Sequence, residues 1–175
     1  MSYVISIDVG IKNMGICIFH MQLGKVVVWE NVSLVPKGKQ YFPRQNVEHI
    51  LALVSRFKEY FDSCFQLVIE RQMRTNMRII ESVLEALYFD NCTIISPRSV
   101  KLHYNLSTRN YKTNKLVAVQ WVESFLQTNT SVAPPEKFHG SKRDDLADSL
   151  LMLLYYLDTY SNHLTTGPVD VELEG

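Results

Sequence analysis

Apolar residues in the first part of the chain predict three consecutive strands. Residues 3–9 form an almost unbroken apolar run, which is typical of a strand buried on both faces. Residues 16–21 and 25–32 predict two more strands, joined by a short turn that contains Gly24. Because strands joined by short turns pair antiparallel, we expect the chain to open with three antiparallel strands.

The rest of the chain alternates between helical and strand patterns. Residues 65–69 and 91–96 are short apolar runs that predict two further strands. This order predicts an α/β fold: a five-stranded mixed sheet, three antiparallel strands followed by parallel strands, with helices on both faces. A length of 175 residues suits one domain, 1–160, followed by a polar tail, 161–175. Apolar residues at helical spacing predict the helices at 47–61, 76–89, 115–126 and 143–159.

Composition indicates the cellular compartment of the protein but does not identify a binding partner. The chain has 18 Lys and Arg against 18 Asp and Glu, so only local charge can indicate an anionic partner. Cys17, Cys64 and Cys92 lack the spacing of a zinc site and indicate reduced thiols. No secretion signal, transit peptide or membrane-length apolar segment is recognisable. We therefore expect a cytoplasmic protein that is neither secreted nor membrane-bound.

Acidic residues follow or interrupt the predicted strands. Asp8 stands inside the apolar first strand, where a carboxylate costs several kcal/mol unless it is paired or binds metal. Glu70 follows the strand at 65–69, and Asp145 and Asp148 share one face of the last helix. Glu70 alone could be a solvated loop residue, and the two aspartates alone could be helix-capping acids. If the last helix packs over the ends of the first and fourth strands, all four carboxylates converge.

Such a set of carboxylates indicates metal-dependent chemistry. Four like charges in a cleft repel one another, so the arrangement is stable only with divalent cations. Oxygen ligands without His or Cys favour Mg²⁺, for which Mn²⁺ substitutes. Two such ions, about 4 Å apart, promote in-line phosphoryl displacement. The residues therefore suggest phosphodiester hydrolysis with two ions per active site.

Basic residues near these acids predict contacts with nucleic acid. The segment 98–115 contains no acid and mixes basic residues with tyrosines, as segments that bind nucleic acid do. An ordinary solvated loop would explain the same composition equally well. Lys115 would lie near the acids and could stabilise charge at the scissile phosphate. The predicted DNA-binding residues are Lys12, Arg71, Arg74, Arg98, Lys101, Tyr104, Arg109, Tyr111 and Lys112.

The same residues carry a resemblance to a known family. Segments 6–15, 68–72, 97–101 and 145–150 resemble, in order, motifs of the RNase H-like resolvases of the RuvC class, and most closely the poxvirus Holliday junction resolvases. The resemblance implies the ribonuclease H topology, a homodimer with two active sites, and Mg²⁺-dependent symmetric nicking of four-way DNA junctions. Because no transit peptide is recognisable, the mitochondrial branch of this family is disfavoured and a viral protein that acts in the host cytoplasm is favoured.

The resemblance further implies roles for individual residues. Water would be activated by metal held between four carboxylates. Lys101 and Lys115 match basic positions, of which one contacts phosphate and one lies near the cleaved bond. Asp144 adjoins Asp145, so either could face the metals. The metal-binding carboxylates implied are Asp8, Glu70, Asp145 and Asp148.

The leading hypothesis is a structure-selective endonuclease that resolves branched or concatemeric DNA. One alternative keeps the fold and metals but acts on RNA/DNA hybrids or on DNA ends. Another is a junction-binding protein whose acidic cluster is catalytically inactive. Loss of nicking with retention of junction binding in Asp8→Asn would separate the enzyme from the inactive protein.

Overall fold

The computed structural model describes residues 1–107, 111–129, 132–134, 138 and 143–160, and within these residues five strands form one sheet. The order across the sheet is β3-β2-β1-β4-β5. β1 pairs antiparallel with β2, which pairs antiparallel with β3, whereas β1–β4 and β4–β5 are parallel. The predicted mixed sheet is therefore confirmed. The strands are β1 (Tyr3–Asp8), β2 (Met14–His20), β3 (Lys25–Val32), β4 (Cys64–Glu70) and β5 (Cys92–Ile95).

Helices cover both faces of this sheet, as predicted. Their bounds are α1 (Asn46–Arg56), α2 (Lys58–Phe61), α3 (Thr75–Leu87), α4 (Pro97–His103), α5 (Tyr111–Thr128) and α6 (Arg143–Tyr160). On one face, Ile5 of β1 belongs to a core shared with Ile80 of α3. On the other face, Val4 belongs to a core shared with Leu150 of α6. Among the helices within the described ranges, none combines the length and apolar character needed to cross a bilayer.

The helix predicted over 47–61 is divided in the structure. α1 ends at Arg56 and α2 begins at Lys58, with Phe57 between them at φ −108° and ψ 29°. The Phe57 ring is buried in the core beneath α1, and the Arg56 guanidinium lies over it at 4.9 Å from the ring centre. The helix is interrupted where this ring is buried, and the helical spacing of apolar residues does not predict the interruption.

Most of α4 lies in the segment 98–115, which the sequence describes equally well as an ordinary solvated loop or as a nucleic-acid-binding segment. The Ser96 hydroxyl accepts a hydrogen bond from the Arg98 backbone N–H at 3.3 Å, and Pro97 occupies the first helical position. Serine before proline is a helix start signal, because the serine satisfies a free N–H and proline lacks one. Arg98, Lys101 and His103 are therefore held on a short helix, whereas Lys115 of the same segment lies on α5.

α6 packs on the sheet with its backbone unusually close to β2. Gly15 of β2 pairs with Asp8 of β1, and a Cβ built on Gly15 would lie 2.2 Å from the Asp145 carbonyl oxygen. Only glycine permits this approach. The second strand was predicted to begin at residue 16, but it begins at Met14, so Gly15 lies within β2 and makes room for a helix.

We expect Gly15→Ala to lower the free energy of unfolding by about 1–3 kcal/mol, since the added methyl group must push α6 away from β2. Urea denaturation would measure the change. Gly24→Asn is the matched control, because no atom lies within 4 Å of a Cβ at Gly24 and asparagine tolerates its φ of +61°. Equal stability of Gly15→Ala and wild type would contradict this packing.

Candidate active site

The ends of the two central parallel strands bring the first two acids together. Ile7 of β1 pairs with Ile69 of β4, so Asp8 and Glu70 follow at adjacent positions on the same edge of the sheet. Asp8 is only 9% exposed, and its carboxyl group is close enough to that of Glu70 for a protonated member to donate a hydrogen bond. Burial, and then the negative charge of Glu70, raise the pKa of Asp8 well above its ordinary value.

Hydrogen bonds from the sheet hold the helix that carries the other two acids. The Ser6 hydroxyl donates to the Ser149 carbonyl at 2.8 Å, and the Trp29 indole N–H donates to the Leu146 carbonyl at 2.9 Å. Both bonds are buried, where a hydrogen bond is worth about 1 kcal/mol and a lost partner costs more. They fix the turn of α6 that contains Asp145 and Asp148.

All four predicted acids line one cleft of about 500 Å³. Asp145 and Asp148 line it from α6, and their negative charges contribute to the raised pKa of Asp8. The same cleft is lined by the predicted basic residues Arg71, Arg74, Lys101 and Lys115.

The pKa of Asp148 reflects both kinds of neighbour. The pKa of Asp148 is raised from 3.8 to about 6, mainly because burial removes water from its carboxylate, and the charges of Glu70 and Asp144 act in the same direction. The positive charges of Lys101 and Lys115 oppose this rise. Even with two lysines nearby, the cleft therefore disfavours negative charge, and a bound cation would relieve this.

The structure separates the two adjacent aspartates at the start of α6. Asp144 accepts a hydrogen bond from the Lys115 ammonium group at 2.5 Å. Asp145 lines the cleft with Asp8, whereas Asp144 lines a neighbouring depression. This geometry favours Asp145 as the residue that faces the strand ends.

The donor set fits a hard divalent cation. The acidic cleft offers carboxylate oxygens and is lined by no His or Cys among the residues that the structure describes, which suits Mg²⁺ or Mn²⁺. Within the described ranges, no three Asp, Glu, His or Cys side chains are already arranged to hold an ion. Ion binding would therefore require these carboxylates to turn toward one another.

The other predicted DNA-binding residues are distributed differently. Lys12 lines the depression next to the acidic cleft. Arg98 is exposed on the first turn of α4. The Tyr104 hydroxyl donates to Asp158 at 2.7 Å and its ring packs 4.7 Å from Trp121, so its contacts are between helices. Arg109 and the side chains of Tyr111 and Lys112 lie outside the described part of the structure.

Two polar residues near the site were missed by sequence reasoning. The Gln72 side-chain amide donates to the Glu70 carboxylate at 3.1 Å and to the Glu70 carbonyl at 3.0 Å. The Gln72 backbone N–H donates to the buried carboxylate of Glu81 on α3 at 2.5 Å. Gln72 and Glu81 therefore orient Glu70. The only sequence signal was a glutamate on the otherwise apolar stripe of α3.

Because the pKa of Asp148 is raised on folding, its carboxyl group favours the folded state below about pH 4, and this contribution is lost as pH rises through about 6. In EDTA at pH 7.5 we expect Asp148→Asn to be more stable than wild type by about 3 kcal/mol, since the rise in pKa from 3.8 to about 6 corresponds to that free energy. Urea denaturation at pH 4 and pH 7.5 should show the difference shrink at the lower pH.

Asp90→Asn is the control, since it removes an exposed carboxylate outside the cleft and should change stability by less than about 0.5 kcal/mol at either pH. An Asp148→Asn protein less stable than wild type at pH 7.5 would refute the electrostatic account.

Comparisons with known proteins agree with this architecture. The fold is similar to that of the yeast mitochondrial Holliday junction resolvase Ydc2, with a TM-score of 0.63 and 21% identity over 91% of this chain and 85% of that one. It is also similar to the Fowlpox virus resolvase, solved with its substrate Holliday junction DNA, with a TM-score of 0.63 and 16% identity over 94% and 99% of the two chains.

Thermus thermophilus RuvC is a third similar structure, with a TM-score of 0.52 and 15% identity over 89% of this chain and 95% of that one. At these identities the likeness shows the fold alone. No curated protein sequence matches the chain. Residues 2–159 match the family described as Poxvirus A22 protein. Since this match spans both central strands, α6 and all four acids, the chain belongs to the Poxvirus A22 protein family.

Proposed function

We propose that this protein is a structure-selective DNA endonuclease that resolves four-way junctions and branched or concatemeric DNA by symmetric nicking. The single observation that carries the proposal is the cleft in which Asp8, Glu70, Asp145 and Asp148 lie beside basic side chains. Family membership and the fold likeness to the yeast and Fowlpox virus resolvases support it.

The four carboxylates would hold two Mg²⁺ ions, for which Mn²⁺ would substitute. When bound, such ions activate water and stabilise charge on the phosphate and leaving oxygen. The backbone at Asp8 and Glu70 would be held rigidly because these residues end central strands, while their carboxylates turn toward the ions. Asp145 and Asp148 would be held by the hydrogen bonds from Ser6 and Trp29 to α6.

The basic residues would position the DNA backbone and stabilise the scissile phosphate. Lys101 and Lys115 line the acidic cleft, so either can reach a phosphate held there. Arg71 and Arg74 follow β4 in the chain and line the same cleft. They would contact the DNA strand whose phosphate lies in that cleft. We extend the proposal to the other predicted basic and aromatic positions, namely Lys12, Arg98, Arg109, Tyr111 and Lys112. Tyr104 has the weakest support, because its ring and hydroxyl already have protein partners.

We also propose a homodimer, because two symmetric nicks require two active sites. α3 begins just beyond the Glu70 strand and has a groove of about 550 Å³ on its outer face. Ile79 and Leu87 line this groove and are 39% and 47% exposed. A second copy packed by two-fold symmetry on α3 would cover these side chains. As a poxvirus-family protein, it would act in the host cytoplasm.

We expect Asp8→Asn to abolish nicking of a synthetic four-way junction while junction binding is retained, because the amide cannot replace a metal-binding carboxylate. Nicks would be mapped on all four strands with and without Mg²⁺. Wild type should nick opposite strands at symmetric positions, as a dimer would.

The matched control is Asp90→Asn, which should cleave like wild type. Linear duplex and an RNA/DNA hybrid complete the substrate panel. Preference for the hybrid or for DNA ends would overturn the resolvase proposal. Equal activity of wild type and Asp8→Asn would instead indicate a junction-binding protein without catalysis through this cluster.

We expect Gln72→Ala to reduce nicking by about 10-fold and to raise the Mg²⁺ concentration at half-maximal rate, since partners that orient a metal-binding carboxylate typically contribute 10–100-fold. Junction binding in EDTA should change little. Gln120→Ala, an exposed position on α5, is the control. An unchanged Mg²⁺ requirement in Gln72→Ala would show that the hydrogen bond to Glu70 has no role in catalysis.

A further inference from the structure

A second depression adjoins the acidic cleft. It measures about 430 Å³ and shares Val9, Met77, Lys115 and Asp145 with the lining of the cleft. Its remaining lining includes Lys12 in the β1–β2 turn. The shared residues make the two depressions continuous, so a polymer in the acidic cleft can continue toward Lys12.

Lys12 in turn borders a third depression, formed by the loop between β3 and α1. This depression measures about 500 Å³ and is lined by Lys12 together with Lys37 and Lys39. The second and third depressions adjoin at Lys12, and we call the line from the acids over Lys12 to the loop the path. We define the loop lysines as Lys37 and Lys39.

The loop lysines are carried on an anchored turn. The Leu34 backbone N–H donates to the Ile11 carbonyl at 2.9 Å, which ties the loop to the β1–β2 turn. Leu34 and Val35 are 6% and 4% exposed, so the start of the loop belongs to the core. The Lys39 N–H donates to the Pro36 carbonyl at 3.0 Å across a tight turn with Gly38 at φ +80°.

The loop that borders this path carries positive charge. Residues 33–45 contain Lys37, Lys39 and Arg44 and no acid. Lys12 and both loop lysines are exposed, and the ion pairs found among the described residues involve none of the three. Such lysines suit repeated phosphates, because ammonium groups act as unpaired point charges on flexible stems.

The acidic cluster makes positive charge necessary on both sides of it. A DNA strand that enters the cleft approaches four carboxylates, and repulsion between exposed charges extends over about 10 Å at 0.1 M salt. Arg71, Arg74 and Lys101 supply positive charge on the β4 and α4 side. On the other side of the cleft, Lys12 and then the loop lysines lie along the path among the residues that the structure describes.

We propose that the DNA backbone leaving the acidic cleft passes over Lys12 and is bound through its phosphates by Lys37 and Lys39. This inference rests on the proposed function and adds to it a binding surface in the β3–α1 loop. The loop lysines neutralise phosphates outside the cleaved bond, so they contribute to affinity for the junction and to its salt dependence.

The test compares Lys37→Gln/Lys39→Gln with wild type for binding to a synthetic four-way junction in EDTA. Affinity near 0.1 M salt should fall by about 10-fold, and the slope of log K against log salt should decrease by about 2, since each lost phosphate contact contributes roughly 0.9. Lys37→Arg/Lys39→Arg keeps the charges and should restore both quantities.

The matched control is Lys25→Gln/Lys58→Gln. It removes two exposed lysines: one at the start of β3, which pairs with His20 at the end of β2, and one on α2, which packs on Tyr3 at the start of β1. This end of the sheet is opposite to Asp8, so affinity and slope should remain those of wild type. Equal losses in both double variants would mean that net charge alone matters and would overturn the proposal.

Junctions with uncharged methylphosphonates beside the nicked bond locate the contact. They should weaken wild type and should weaken Lys37→Gln/Lys39→Gln less, because the contact is already lost. Unchanged affinity and slope in that variant, with wild-type nicking intact, would overturn this inference alone. A wild-type protein that neither binds nor nicks junctions would overturn the proposed function.

Discussion

The close contact of α6 with the sheet is the constraint on which the site depends. A glycine at position 15 allows the helix backbone to reach β2, and the side chains of Ser6 and Trp29 hydrogen-bond to carbonyls of the same turn. Leu146 and Leu150 of that helix are fully buried, each worth about 1.5–3 kcal/mol of apolar burial. The two aspartates of α6 are therefore placed by packing that is far stronger than a surface ion pair.

This packing holds the acids where they destabilise one another. Burial and mutual repulsion raise the pKa values of Asp8 and Asp148, so without a cation the folded chain is less stable at neutral pH than its apolar core alone would make it. Lys101 and Lys115 offset part of the repulsion. Buried acidic groups whose pKa values are raised by burial and mutual repulsion are characteristic of functional sites. The same excess of negative charge explains why basic side chains are needed around the cleft to receive DNA.

Much of the architecture followed from local patterns. Apolar runs predicted the five strands, because burial on both faces favours a largely apolar sequence, as at Val4, Ile5 and Ile7 and at Leu67 to Ile69. The ends of parallel neighbours lie at one edge of a sheet, so the positions of Asp8 and Glu70 also followed. Where a local sequence signal suits two structures, the sequence alone did not decide between them. Ser96 and Pro97 begin α4 in a segment where the sequence left an ordinary loop equally possible.

The sequence by itself determined the strand and helix periodicities, the acids at the strand ends and the face shared by Asp145 and Asp148. These are properties of neighbouring residues, and local geometry suffices to read them. Only the tertiary structure decided that Gly15 makes room for a helix, that Asp144 pairs with Lys115, and that Gln72 and Glu81 orient Glu70. Each of these contacts joins groups whose meeting depends on how whole elements pack, and packing is a property of the folded chain rather than of any segment.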